Sequence, residues 1–235
     1  MSVVLHIYKL INLDETPVEK YLTDLLIRHL ERICMNYKMF RAINRLAGRN
    51  STLDTFMIFI SQKTRFLYIF LLALMWFRNN SYKKIILFAG LSVGFALFIN
   101  CFIQLFYFKP RPFVIHRVRL LIPSKNNSSF PSKHTVLAFA LASSVLLRER
   151  LFGSIMWFLA ILTGFSRIWL GHHYPFDIIG SAFIGILTSI AIGNATYIFN
   201  SFVTWIINVL GIQKKAILFT LKRIAFQVHI FNYIT

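Results

Sequence analysis

Acidic residues are scarce in this chain: 8 Asp and Glu stand against 26 Lys and Arg in 235 residues, a net charge of +18. Charge of either sign is scarce too, at 14% of residues, whereas 57% are hydrophobic and 16% aromatic. A water-soluble domain carries about 25% charged and 45–50% apolar residues. A water-facing surface is therefore excluded for most of the chain, and the mean hydropathy of +0.62 makes the bilayer its solvent. There are two cysteines, Cys34 and Cys101, far apart and the second inside an apolar run. That excludes a disulfide framework and a Cys-x-x-Cys metal site. The first apolar stretch, residues 3–13, is broken by His6, Lys9 and Asn12 and lacks a small-residue cleavage site, so it does not read as a cleavable signal. The surplus of cations suits nucleic acid, anionic lipid or an anionic substrate. Because the basic residues sit mostly between apolar segments, nucleic acid is the weakest of these, and lipid headgroups account for most of the charge.

What is present is a series of apolar segments. Thr16–Pro17–Val18–Glu19 starts a helix, with Thr16 as cap and Pro17 in its first position. Leu22, Leu25, Leu26, His29, Leu30 and Ile33 mark one face of it. Residues 36–47 repeat the design, with Phe40, Ile43 and Leu46 opposite Lys38, Arg41 and Arg45, and both stretches suit a membrane surface. Residues 53–60 and 66–77 are apolar but separated by Gln62, Lys63, Thr64 and Arg65. They form either one span with a polar break or a half-inserted turn followed by a span. Spans are expected at 85–108, 134–147, 151–168 and 176–199. The prediction is an all-α polytopic membrane helix bundle of five transmembrane helices, with a sixth near residues 36–61 as the alternative; no strand pattern competes. Residues 1–34 read as an extension or a start-site artefact, since Met35 is an alternative start. Residues 35–200 read as the membrane domain and 201–235 as a basic amphipathic tail that includes 203–210 and 216–230.

Two connections carry chemistry. They are the long loop 109–131 and the short turn 171–175, which two intervening spans place on the same side of the membrane. Short basic loops with Arg78, Lys83, Lys84, Arg148 and Arg150 lie on the other side and would be cytoplasmic by the positive-inside rule. The long loop is basic as well, with Lys109, Arg111, Arg117, Arg119 and Lys125 and then Lys133, so charge counting alone leaves both orientations open. The long loop is expected outside because its cations have another use. Lys109–Pro110–Arg111–Pro112 ends a span, and its prolines hold Arg111 at the membrane edge, where a guanidinium fork matches phosphate oxygens. Phe130–Pro131–Ser132–Lys133–His134 precedes a helix with Ser132 as cap, so the free N–H groups that follow face an anion and His134 is a candidate proton donor. Ser166–Arg167, then five residues, His173, then three residues, Asp177 adds a second cation. In this motif the carboxylate is spaced to hold one imidazole nitrogen and leave the other nucleophilic. Taken singly, Arg111 also reads as a snorkelling arginine and Ser132 as a plain cap. A metal site of His172, His173 and Asp177 is the weaker alternative, because adjacent histidines diverge on a helix.

The three motifs occur in order, each at a span boundary and all on one face. With Pro110–Arg111–Pro112–Phe113, Ser129–Phe130–Pro131–Ser132 and Thr163–Gly164–Phe165–Ser166–Arg167–Ile168–Trp169, the chain resembles the type 2 phosphatidic acid phosphatase (PAP2) superfamily over about residues 35–200. Within that superfamily it is most similar to undecaprenyl-diphosphatases of the bacitracin-resistance type. The resemblance implies a multi-pass cell-membrane enzyme that uses neither metal nor cofactor. It would turn undecaprenyl diphosphate, a polyprenyl diphosphate lipid, into the monophosphate and phosphate on the outer side of the membrane, with membrane lipids and no nucleic acid as its other partners. The recycled carrier serves cell-wall synthesis, and bacitracin resistance follows. His173 would attack phosphorus, Asp177 orient it and His134 protonate the leaving group, while Arg111, Ser132 and Arg167 hold the phosphoryl oxygens.

Two positions depart from the pattern. A lysine usual in the first motif is replaced by Gln104, for which Lys109 is a candidate substitute, and the residue before the second-motif histidine is Lys133 rather than Gly or Asp. The alternatives are a phosphatase of phosphatidate or phosphatidylglycerol phosphate and, from another class, an antibiotic permease or binding subunit.

Overall fold

The computed structural model describes residues 17–209. Thr16, the apolar stretch 3–13 and the basic tail from residue 210 onward lie outside them. The described residues form α1 (Pro17–Asn44), α2 (Ser51–Arg78), α3 (Asn80–Phe106), the single turn α4 (Pro112–Ile115), α5 (Lys133–Leu146), α6 (Arg150–Trp169) and α7 (Pro175–Val209), with no strand among them. Among the described residues, four helical stretches are long and apolar enough to cross a membrane: Ser51–Arg78, Tyr82–Phe106, Arg150–Trp169 and Pro175–Ala195. α5 has only 14 residues, about 21 Å at the helical rise, and forms the short centre of the bundle. The all-helical multi-pass bundle agrees with the sequence.

Local chemistry sets the helix limits. Asn50 caps α2, its Oδ1 accepting from the N–H groups of Thr52 (2.9 Å) and Leu53 (3.2 Å). Glu149 caps α6 through Leu151 and Phe152. Pro175 opens α7, where its missing N–H costs nothing. Residues 53–77 lie in one continuous helix, so the half-inserted turn is excluded. Gln62, Lys63 and Arg65 interrupt hydropathy, but they are good helix formers and leave the backbone unbroken.

α5 is packed by α3, α6 and α7. The core joins Met75 of α2, Ala89 of α3, Ala138, Ala142 and Val145 of α5, and Met156 and Ala160 of α6. Small residues allow this close approach, as is usual where lipid removes the hydrophobic drive between helices. Gly185 is the extreme case: a Cβ there would lie 2.6 Å from the carbonyl oxygen of Val136. Phe95, Phe98, Phe102 and Phe106 run exposed along α3, as a lipid-facing surface allows.

α1 departs from expectation. Residues 36–44 continue the first amphipathic helix without a break, through Cys34 and Met35. Its N-terminal apolar face, including Leu22, Leu26 and Leu30, is exposed. Its C-terminal part lies on the protein rather than on lipid, with Phe40 fully buried against Ile168, Tyr174 and Ile178. Asn44 fixes this end, donating to the carbonyls of Arg119 and Trp169 (2.9 Å each) and accepting from the Arg119 N–H. No separate span arises near residues 36–61, because Asn44 ends α1 and Ser51 begins α2.

Candidate functional site

The long loop and the short turn meet above α5. α3 ends at Phe106, and Arg111 stands in extended backbone (φ −75°, ψ 156°) immediately before Pro112. Its guanidinium is buried and held by the loop itself: Nε donates to the carbonyl of Asn127 (3.1 Å), one terminal nitrogen to Ser124 Oγ (2.8 Å) and the other to Asn127 Oδ1 (2.6 Å). Three of five N–H donors are thus used, and the fork is fixed in orientation. Arg167, near the end of α6, donates to Ser61 Oγ of α2 at 2.8 Å, while its buried Nε has no partner among the described residues.

The α6–α7 turn depends on Gly171, whose φ of +81° suits glycine and whose Cβ, if it had one, would press on the Arg119 carbonyl at 3.0 Å. The turn presents His172 and His173 in different directions. His172 Nε2 donates to the Ile122 carbonyl at 3.0 Å, and its buried Nδ1 has no partner among the described residues. His173, only 2% exposed, donates from Nδ1 to the Ser129 carbonyl at 2.6 Å. That bond selects the tautomer in which Nε2 carries the lone pair. Burial pushes the His173 ring well below the ordinary histidine range, and the positive charges of Arg167 and Arg111 push it further. The same causes, burial first and then Arg167, bring His172 to about 4. Both rings are therefore neutral at pH 7.

Asp177 is placed differently from the expectation that it receives the His173 ring. Its Oδ1 accepts from Lys109 Nζ at 2.5 Å and its Oδ2 from Ser129 Oγ at 2.6 Å, with the Tyr174 N–H at 3.3 Å. The carboxylate thus holds Ser129, and the carbonyl of Ser129 holds His173. Lys109, also 5.0 Å over the Tyr174 ring, is spent on this pair. Burial and the nearby Asp177 charge raise the Tyr174 phenol to about 12, so it stays neutral.

Ser132 stands at the α5 N-cap, but its side chain makes no capping bond. Its Oγ accepts from Thr135 Oγ1 at 3.1 Å, and its own N–H donates to Ser181 Oγ at 2.7 Å. Gln104 does not substitute for a cation at the site; it donates to the Pro131 carbonyl at 3.0 Å and steadies the start of α5. Lys133 is exposed. His134 is exposed as well and, with Arg167, lines a cavity of about 620 Å³. The charges of Arg111, Lys133 and Arg167 all bear on His134, so the three motifs share one electrostatic site.

Ser129, Ser124, Asn127 and Ser61 belong to the site, yet their residue types carry no sign of it in the sequence. Ser129 stands just ahead of the Phe130–Pro131–Ser132 motif, but its working atom toward His173 is a backbone carbonyl, which leaves no mark on residue type. The site can present a neutral imidazole beside two arginines, with a second imidazole at a cavity mouth.

The family model for the PAP2 superfamily matches residues 85–206. The chain is 45% identical over 154 residues to the undecaprenyl-diphosphatase BcrC of Bacillus subtilis (strain 168), covering 65% of this chain and 80% of that one. It is 28% identical over 158 residues to the bacitracin transport permease protein BcrC of Bacillus licheniformis, covering 66% and 78%. Among solved structures, Aquifex aeolicus LpxE superposes with a TM-score of 0.59 at 30% identity, covering 68% of this chain and 95% of that one. By sequence model, relatives and fold together, this chain belongs to the PAP2 superfamily of membrane phosphatases.

Proposed function

We propose that the protein hydrolyses undecaprenyl diphosphate to undecaprenyl phosphate and inorganic phosphate on the outer face of the cell membrane, which recycles the cell-wall lipid carrier and gives bacitracin resistance. The observation that carries the chemistry is the neutral His173, fixed as the Nδ1–H tautomer by the Ser129 carbonyl and overlooked by Arg111 and Arg167. Its Nε2 attacks the terminal phosphorus. The bond from that phosphorus to the bridging oxygen breaks, and His134 gives the departing lipid phosphate a proton. The arginines and the N–H groups at the start of α5 take up charge on the equatorial oxygens. Water then attacks the phosphohistidine, His134 takes its proton, and phosphate leaves with His173 neutral again. Each step uses the chain's own groups, without a metal. Substrate choice follows the 45% identity to the Bacillus subtilis diphosphatase.

The short basic loops support an outward-facing site once the cations of the long loop are assigned to the substrate. Arg78 lies over the Phe152 ring (5.8 Å) and Arg148 over the Phe88 ring (4.8 Å), at the bundle end where α2 and α5 finish and α3 and α6 begin, away from His173. The positive-inside tendency favours a cytoplasmic position for that end.

The test is phosphate release from undecaprenyl diphosphate by the purified protein in EDTA. Turnover in wild type that is lost in His173→Ala supports the reading, and unchanged turnover in that variant refutes the nucleophile. The name of the Bacillus licheniformis relative favours transport as a second reading. That reading predicts bacitracin flux into vesicles without phosphate release.

A further inference from the structure

The polar interruption Gln62–Lys63–Thr64–Arg65 has no place in the chemistry described so far, and it sits at the site. The Arg167–Ser61 bond at 2.8 Å sets the register between α6 and α2 and brings this quartet level with the arginine. All four residues line the same cavity as His134 and Arg167. The α2 and α5 backbones that face each other across it nowhere come within 8 Å, Cα to Cα. Deeper in, the cavity wall is apolar, with Ile69 and Leu72 of α2, Val93 of α3, and Leu137 and Leu141 of α5. The α3 residues packed on the α2 core cluster lie at its base, at Tyr82, Ile85, Ile86 and Ala89, whereas Val93 and Ala96 pack with α5 and α7. The slot is therefore cationic at the site and hydrocarbon-like below it.

Lys63 and Arg65 are exposed, and among the described residues neither has a carboxylate partner. Both lie over the ring of Phe66, whose centroid is 5.6 Å from Lys63 Nζ and 4.8 Å from Arg65 Cζ. That contact orients the two side chains without neutralising them. Two unneutralised cations within an apolar helix are costly and mark a functional position. The charge of Arg65 bears on His134, the residue assigned to the leaving oxygen. A phosphate that stays on the lipid after cleavage begins at that oxygen.

We propose that Lys63 and Arg65 form a second anion subsite, which holds the phosphate retained by the lipid and sets a preference for lipid diphosphates over monophosphates. The inference rests on the diphosphatase reading and adds its specificity determinant. Arg111 and Arg167 serve the phosphoryl group that is transferred, α2 serves the one that remains, and the slot beneath takes the first part of the chain. The ordinary alternative is that both side chains reach for lipid headgroups. A detergent without phosphate removes that role and leaves the substrate-binding role intact.

The experiment uses the full chain purified in a neutral maltoside detergent, with farnesyl diphosphate and farnesyl monophosphate as substrates of identical tail. Wild type is expected to favour the diphosphate. In K63Q/R65Q the ratio of kcat/KM, diphosphate over monophosphate, should fall at least about tenfold, chiefly through the KM for diphosphate. R65K should keep most of the preference. An unchanged ratio, or a parallel loss on both substrates, overturns the proposal. A wild type with no preference overturns it together with the diphosphatase reading, whereas a preference retained in the variant overturns this inference alone. If the variant turns over neither substrate, thermal protection decides. Inorganic pyrophosphate should protect wild type more than phosphate does; loss of that difference in the variant supports the subsite, and its retention overturns it.

Discussion

The Nδ1 of His173 lies 2.6 Å from the backbone carbonyl oxygen of Ser129, and that serine's hydroxyl is in turn 2.6 Å from Asp177. One residue thus connects the imidazole and the carboxylate through different atoms. Asp177 and Ser129 should behave as a unit. Asp177→Asn and Ser129→Ala are each expected to lower kcat roughly 10–100-fold with little change in KM, and the double variant should be no worse than the poorer single one. Steady-state kinetics on undecaprenyl diphosphate checks this; additive losses would show that the carboxylate acts on His173 by another route.

The pair of Lys109 and Asp177 at 2.5 Å carries a second expectation. Asp177 is almost fully buried, so removing its cation leaves an uncompensated charge. Lys109→Met should destabilise the protein by about 3 kcal/mol, read as a lower melting temperature in detergent. Adding Asp177→Asn should restore much of the stability but not the activity. A Lys109→Met variant that melts with wild type would mean the ion pair is not made.

Much of the site was legible because it lies at span boundaries, where Arg111, His134, Arg167, His173 and Asp177 interrupt apolar sequence. The partners that aim them were not. Ser61 is 106 positions from Arg167, and a serine in an apolar helix carries no signal of what it will meet. The carbonyls of Ser129 and Ile122, which set the two histidine tautomers, are features any residue could supply. The spacing His173 to Asp177 suggested a direct contact, but the turn closes with Tyr174 N–H facing the carboxylate. α1 was readable as an amphipathic helix, yet an apolar stripe looks the same whether lipid or protein covers it. Phe40 is covered by Ile168, Tyr174 and Ile178, and nothing in its spacing distinguished it from the exposed Leu22 and Leu26.

The bond from Arg167 to Ser61 gives a prediction about geometry rather than charge. Lysine preserves the cation but not the fork, so it cannot keep Ser61 and present donors to an anion together. Arg167→Lys should lose roughly 100-fold or more in kcat/KM, near the cost of a lost oxyanion donor. Ser61→Ala, which leaves the guanidinium but frees its orientation, should lose less, about tenfold or under. Equal losses in the two variants would show that the bond to Ser61, not the fork toward the substrate, is what matters.

The buried histidines predict how stability follows pH. His172 stays neutral in the fold down to about 4, because burial and Arg167 oppose its protonation. Unfolded, it takes a proton near its ordinary value of about 6.5. Between those limits the unfolded chain binds more protons than the folded one, so stability is intact above about 6.5 and falls as the pH is lowered toward 4. One such group contributes on the order of 3 kcal/mol across that window. His173 is pushed down by the same causes and adds to the slope in the same direction. His172→Gln keeps a donor for the Ile122 carbonyl and removes one titrating ring. Its melting temperature in detergent should therefore drop less than that of wild type between pH 7 and pH 4.5, with the two proteins more alike at pH 7. A variant whose melting temperature falls as steeply as wild type over that range would show that His172 is already protonated in the fold.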